Sequence, residues 1–166
     1  ILVYVETSQA YAGVSRIAQN DGYSTYMARD RKSLTFTKGL LTASRGLGGD
    51  LFALETASTL AALKSRPRGP VQTIRIHHYM TEENHDLAVT YMCQLTEKGL
   101  QSLTRFSKSL RLRGYDETCV NADDPAITYQ NSYWIAPQTG IIWYSRQWIS
   151  PASGYLVFDV MIPEPS

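Results

Sequence analysis

Apolar and polar residues alternate along most of the chain, the pattern of strands that bury one face. Gly13-Val14-Ser15-Arg16-Ile17-Ala18 leads into Asn20-Asp21-Gly22, a hairpin signal because these residue types tolerate positive φ. Tyr23-Ser24-Thr25-Tyr26-Met27, the charged turn Arg29-Asp30-Arg31-Lys32 and the alternation Ser33-Leu34-Thr35-Phe36-Thr37 continue a meander. Lys38-Gly39 turns it into Leu40-Leu41-Thr42-Ala43-Ser44, and Gly46, Gly48 and Gly49 end it. Beyond them Leu51, Leu54, Ala57, Leu60, Ala61 and Leu63 come close to helical spacing. They predict one short helix near residues 51–65, with Asp50 as N-cap and Arg66-Pro67-Arg68-Gly69-Pro70 as its stop.

Longer strands follow. Residues 71–80 place Thr73, Arg75 and His77 on one face and Ile74, Ile76 and His78 on the other. A turn at 82–86 returns the chain through 87–95, and Thr96-Glu97-Lys98-Gly99 reads as another turn. Residues 100–112 alternate with many polar groups, which suits an exposed or edge strand, and 112–120 carries on to the loop Asn121-Ala122-Asp123-Asp124-Pro125. Strands at 128–136, 141–150 and 155–162 close the chain before the tail Pro163-Glu164-Pro165-Ser166. The fold expected is all-β, an antiparallel open barrel or strongly curved sheet with one short helix. At 166 residues the whole chain, 1–166, is expected to form a single β-rich domain.

Composition narrows the function. Sixteen basic and 15 acidic residues leave a net charge of +1, so the electrostatic footprint of a nucleic-acid binder is missing and no nucleic-acid partner is expected. Apolar content of 43% argues against disorder. No window reaches the roughly 18 apolar residues of a membrane-spanning helix. The chain starts at Ile1 rather than Met, so a processed start is expected.

The usual catalytic patterns do not assemble. Arg45-Gly46-Leu47-Gly48-Gly49-Asp50 fits neither phosphate-loop template, and its acidic end would repel an anion. Strand neighbours His77 and His78 face opposite ways, and pairing His77 with His85 across a turn is generic, so all three read as half-exposed strand histidines. No Gly-x-Ser-x-Gly elbow is present, and Glu82-Glu83 and Asp123-Asp124 fall in turns. The expectation is a non-enzyme with no catalytic residue, no metal and no cofactor. Cys93 and Cys119 are too far apart for a CxxC redox pair. They are either two buried thiols or a bridge closing roughly 27 residues, worth about 3 kcal/mol.

All three tryptophans cluster in one predicted hairpin, 131–148. Trp143, Ser145, Gln147 and Ile149 share one face; Ile142, Tyr144, Arg146 and Trp148 share the other. Rings beside Arg and amide groups can stack on sugars or anchor a protein, so Tyr133, Trp134, Trp143, Arg146, Gln147 and Trp148 form a candidate binding surface. The competing reading is a cross-strand aromatic core.

Two stretches carry a family resemblance. Gly39-Leu40-Leu41-Thr42-Ala43-Ser44-Arg45-Gly46-Leu47-Gly48-Gly49-Asp50-Leu51 resembles the GLL-x-x-T-R-G-L-G-x-D-L signature of the YjbF/GfcB (YmcC-like) lipoproteins, with Ser44 where Thr is the pattern. Asn131-Ser132-Tyr133-Trp134, then Ser145-Arg146-Gln147-Trp148-Ile149-Ser150-Pro151 and Gly154-Tyr155-Leu156, is similar to the family's C-terminal pattern. Cys93 and Cys119 stand where its members carry two cysteines, which implies a disulfide and an oxidising compartment. The resemblance further implies a β-rich, non-enzymatic periplasmic lipoprotein of exopolysaccharide or group 4 capsule gene clusters. Its membrane anchor would be an outer-membrane lipid on a cysteine preceding Ile1. The partners implied are envelope proteins of the polysaccharide export system, with the polysaccharide itself a further candidate.

Overall fold

A computed structural model of the chain describes residues 1–80, 86–105 and 108–160. The turn expected at 82–86 therefore lies outside the described residues except for Asp86, as do His85 and the tail at 163–166.

The meander forms as the alternation predicts. Strands β3 (Ser15–Asn20), β4 (Tyr23–Met27), β5 (Ser33–Thr37) and β6 (Leu40–Arg45) make a four-stranded sheet in sequential order. The other strands are β1 (Leu2–Val5), β2 (Ala10–Gly13), β7 (Leu51–Glu55), β8 (Val71–Met80), β9 (Asp86–Arg105), β10 (Lys108–Asn121), β11 (Thr128–Ile135), β12 (Ile142–Ser150) and β13 (Gly154–Asp159). They form a nine-stranded antiparallel sheet, β2-β1-β13-β12-β11-β10-β9-β8-β7, curled into a half-barrel. Its curl is filled from inside. Tyr26, Leu34, Phe36 and Leu41 of the small sheet pack on Val3, Ile149, Leu156 and Phe158. Further along, Ala62 and Leu63 of the helix α1 (Ala57–Ser65) pack on Leu95, Tyr115, Tyr133 and Ile135. No helix among the described residues is long and apolar enough to cross a membrane.

Two expected boundaries are corrected. The helix begins at Ala57, not near residue 51, because Leu51–Glu55 pairs with β8 as a strand. Short apolar runs satisfy both periods, and sheet pairing that buries Leu51 and Leu54 decides between them. Asp50 caps no helix. Its carboxylate accepts the Gly46 and Leu47 N–H groups at 2.6 and 2.9 Å and closes the glycine turn.

Nor does Thr96-Glu97-Lys98-Gly99 turn the chain. β9 runs straight through it, and the positive φ of Gly99 serves a bulge where the β9–β10 register shifts at Gly114/Tyr115. β8 leaves β9 at Leu95, and β11 joins β10 only at Arg113. The distal part of the β9–β10 hairpin is thus a two-stranded arm, which accounts for the polar alternation of residues 100–112.

Cys93 and Cys119 sit directly opposite each other on β9 and β10 and form a disulfide. The bridge packs among Tyr91 and Tyr129, with Trp148 and Tyr155 at its margin.

Candidate functional site

The nine-stranded sheet carries polar and aromatic groups on both faces, and the two faces use them differently. On the inner face Arg75 and Glu117 form an ion pair at 2.8 Å with both side chains essentially buried. A buried carboxylate needs all its lone pairs satisfied. Thr59 of α1 and Thr73 of β8 donate to one oxygen of Glu117 at 2.6 and 2.9 Å. Asn131 and the Tyr133 hydroxyl donate to the other at 3.1 and 2.9 Å. Burial pushes the Glu117 carboxyl up. The Arg75 guanidinium, with hydrogen bonds from Thr59, Asn131 and Thr73, outweighs it and holds the group below the usual carboxylate range.

His77 lies beside this network rather than half-exposed as its strand position suggested. Its Nδ1 is 2.9 Å from the Tyr79 hydroxyl, which itself donates to the Ile149 carbonyl. Nδ1 therefore carries the proton, and Nε2 accepts from the Tyr129 hydroxyl at 3.0 Å. Burial, reinforced by the Arg75 charge, depresses its pKa to about 3. Neither of the two clefts described below is lined by Arg75, His77 or Glu117, so this network binds the fold together. Cys93, Glu117 and Cys119 offer a ligand-like cluster, but the sulfurs are bonded to each other and Glu117 is held by Arg75.

The six residues of the expected binding surface divide between the faces. Tyr133 and Gln147 are removed from it by burial. Tyr133 serves the inner network. The Gln147 amide accepts from Leu41 N–H and donates to the Gly39 carbonyl, both at 2.9 Å, tying the small sheet to β12. Trp143 packs against the main core, and Trp148 stacks on Tyr129 at 5.7 Å beside the disulfide.

Trp134 and Arg146 stay partly exposed on the outer face. Cross-strand register extends that face in two rows. Trp134 opposes Tyr144, with ring centroids 4.9 Å apart, and its indole N–H donates to Gln101 of the arm at 2.7 Å. Arg146 opposes Val157, which opposes Tyr4, which opposes Tyr11 with centroids 4.4 Å apart. The Arg146 guanidinium lies 3.4 Å from the Tyr155 ring centroid and grips both Glu6 oxygens at 2.6 and 2.7 Å. Between these rows and Thr104 of the arm opens a cleft of about 500 Å³, lined by Tyr4, Glu6, Tyr11, Tyr144 and Asp159 among others.

Tyr4, Tyr11 and Tyr144 thus line this cleft without having been among the candidate residues of the sequence. Tyr144 was visible as the strand neighbour of Arg146 on the same face. Tyr4 and Tyr11 reach the site only because β1 pairs with β13 across the length of the chain, and no local pattern signals that pairing. A second cleft, of about 670 Å³, lies where the small sheet meets β7 and the start of α1.

The two stretches that carry the family resemblance meet in space. Gln147 reaches Gly39 and Leu41, while the hydroxyls of Ser150 and Ser153 donate to the Gly49 carbonyl at 2.8 and 3.2 Å. A Cβ on Gly49 would sit 2.7 Å from Ala152 and 2.8 Å from the Ser150 hydroxyl, so only glycine fits. Arg45 donates to the Leu51 and Phe52 carbonyls, fixing the strand after the glycine turn. Each motif is the other's packing partner.

Comparison with known proteins agrees with this fold. No curated protein sequence matches the chain. The crystal structure of the hypothetical lipoprotein YmcC from Escherichia coli (K12) is similar in fold, with a TM-score of 0.83 at 18% identity, covering 99% of this chain and 84% of that one. The family model for YjbF, the group 4 capsule polysaccharide lipoprotein gfcB, matches residues 1–161. The chain belongs to the YjbF family of group 4 capsule polysaccharide lipoproteins.

Proposed function

We propose that this chain is the periplasmic domain of an outer-membrane lipoprotein that assists capsule or exopolysaccharide assembly or export without catalysing a reaction, by binding glycan. The observation that carries this reading is the outer cleft. The Tyr4, Tyr11, Trp134 and Tyr144 rings stand on rigid, paired strands, and the Arg146–Glu6 pair adds polar groups beside them. Aromatic rings stack on the apolar faces of sugars, and fixed charged pairs orient the hydroxyls. Of the expected surface, Trp134 and Arg146 flank the cleft through their contacts with Tyr144 and Glu6, while Trp143, Trp148, Tyr133 and Gln147 pack against the strands and core.

Titration with exopolysaccharide fragments at millimolar sugar is expected to change tryptophan fluorescence through Trp134. The change is expected to disappear in Trp134→Ala and Tyr144→Ala. An unchanged spectrum from the unsubstituted chain would count against the reading.

One observation favours a second reading, a scaffold that docks on a secretion partner without touching sugar. The β9–β10 arm leaves strand edges beyond Leu95 and before Arg113 to which neither β8 nor β11 is paired, and such edges accept an added strand. Co-purification of the chain with products of neighbouring genes, lost when residues 100–111 are deleted, would select that reading.

A further inference from the structure

We propose that the second cleft is a separate saccharide site, selective for uncharged, hydroxyl-rich sugar units. The proposal rests on the chain handling glycan, but not on the outer cleft. At about 670 Å³ the groove is in the size range of small-ligand sites. Three kinds of group converge on it.

Two rings, Tyr23 and Phe52, stand at its rim and remain 48% and 47% exposed. Phe52 is held in place, because Arg45 lies 5.0 Å from its ring centroid while bonding the Leu51 and Phe52 carbonyls. A ring fixed in position but left wet is a ready stacking platform. Beside the rings run the hydroxyls of Thr35, Thr37 and Thr42. Thr42 and Thr37 donate to backbone carbonyls of Thr35 and Gly22, so each keeps lone pairs to accept from a ligand.

At the third side His78 bridges two carboxylates, with Nδ1 3.0 Å from Asp86 and Nε2 3.5 Å from Glu55. Those side chains are 55% and 63% exposed, and each has lone pairs left for neighbouring sugar hydroxyls. The two carboxylates offset the Arg45 guanidinium beside Phe52 and the His78 ring between them, so the groove has no net positive charge and offers a polyanion no electrostatic gain. Leu54 and Leu60 complete an apolar wall for the C–H face of a sugar.

The test maps backbone amide shifts of the full chain on adding a panel of neutral oligosaccharides of glucose, galactose, mannose and N-acetylglucosamine, with polygalacturonate as the anionic comparison. The expected result is shifts around Thr35, Thr42, Phe52 and His78 with a neutral sugar. Affinity should fall about five-fold or more in Phe52→Ala and Glu55→Gln and stay unchanged in Met92→Ala, an exposed β9 residue that lines neither cleft. Both groove residues are exposed, so the variants fold. Shifts confined to Tyr4, Tyr11 and Tyr144 would overturn this inference while supporting the outer cleft. Groove shifts with polygalacturonate in preference to neutral sugars would overturn the charge selectivity. No shift with any member would overturn the groove as a sugar site.

Discussion

Tyr133 and Trp134 are adjacent on one strand and have opposite fates. Tyr133 is fully buried and closes the Arg75–Glu117 network, whereas Trp134 stays partly exposed beside Tyr144. The same division runs across the sheet. The inner face uses its polar groups on each other, and the outer face leaves rings and a charged pair beside a cleft. Polar and aromatic composition alone does not mark a binding surface, and parity along a strand decides it only together with what packs there: Trp148 shares the parity of Arg146 but stacks on buried Tyr129.

The comparison breaks most readily at the ion pair. Arg75→Ala or Glu117→Ala leaves a buried charge without its partner and is expected to cost about 3–5 kcal/mol, read from urea unfolding. Replacing both by apolar residues should recover much of that loss. A loss under about 1 kcal/mol from either single substitution would mean that the inner network does not hold the sheet.

Removing the bridge comes next. Cys93→Ala with Cys119→Ala is expected to cost about 2–4 kcal/mol by freeing the unfolded chain, and the cost should appear in the denaturation midpoint.

The acid limb of stability gives the third effect. His77 is neutral in the fold, with a pKa near 3, while an unfolded histidine takes up a proton around pH 6.5. The unfolded chain therefore binds more protons between those values, and stability falls as pH drops through that window, with a slope approaching about 1.4 kcal/mol per pH unit. Glu117, with its lowered pKa, adds in the same sense once pH falls below the unfolded carboxylate value and through its folded one. Unfolding curves at pH 7, 6, 5 and 4 check this, and a flat profile would show that His77 is not buried neutral.

The smallest stability effect belongs to the outer face. Tyr144→Ala is expected to cost about 1 kcal/mol or less, with its main consequence in glycan binding.

Much of this organisation is legible along the chain. Alternation over residues 71–80 put Arg75 and His77 on one face, and they do line the inner side together. Parity is local, but burial is not. The depth of His77 depends on Tyr129 and Tyr79, and the helix-like spacing of Leu51 and Leu54 gives way to pairing with β8. Long-range pairing also assembles the outer cleft, since Tyr4 and Tyr144 are joined only through β13. The two family-like stretches were visible as motifs, while their contact through Gln147 and Gly49 emerges only in three dimensions.

The most direct test of the division between faces is one titration of three proteins with exopolysaccharide fragments: the unsubstituted chain, Trp134→Ala/Tyr144→Ala, and Cys93→Ala/Cys119→Ala. The account predicts that the outer-face variant folds with near-normal stability and loses binding. It predicts that the disulfide variant, kept folded at low temperature, loses stability and retains binding. Normal binding by the outer-face variant, by amide shifts as well as fluorescence, would contradict the assignment of the outer cleft.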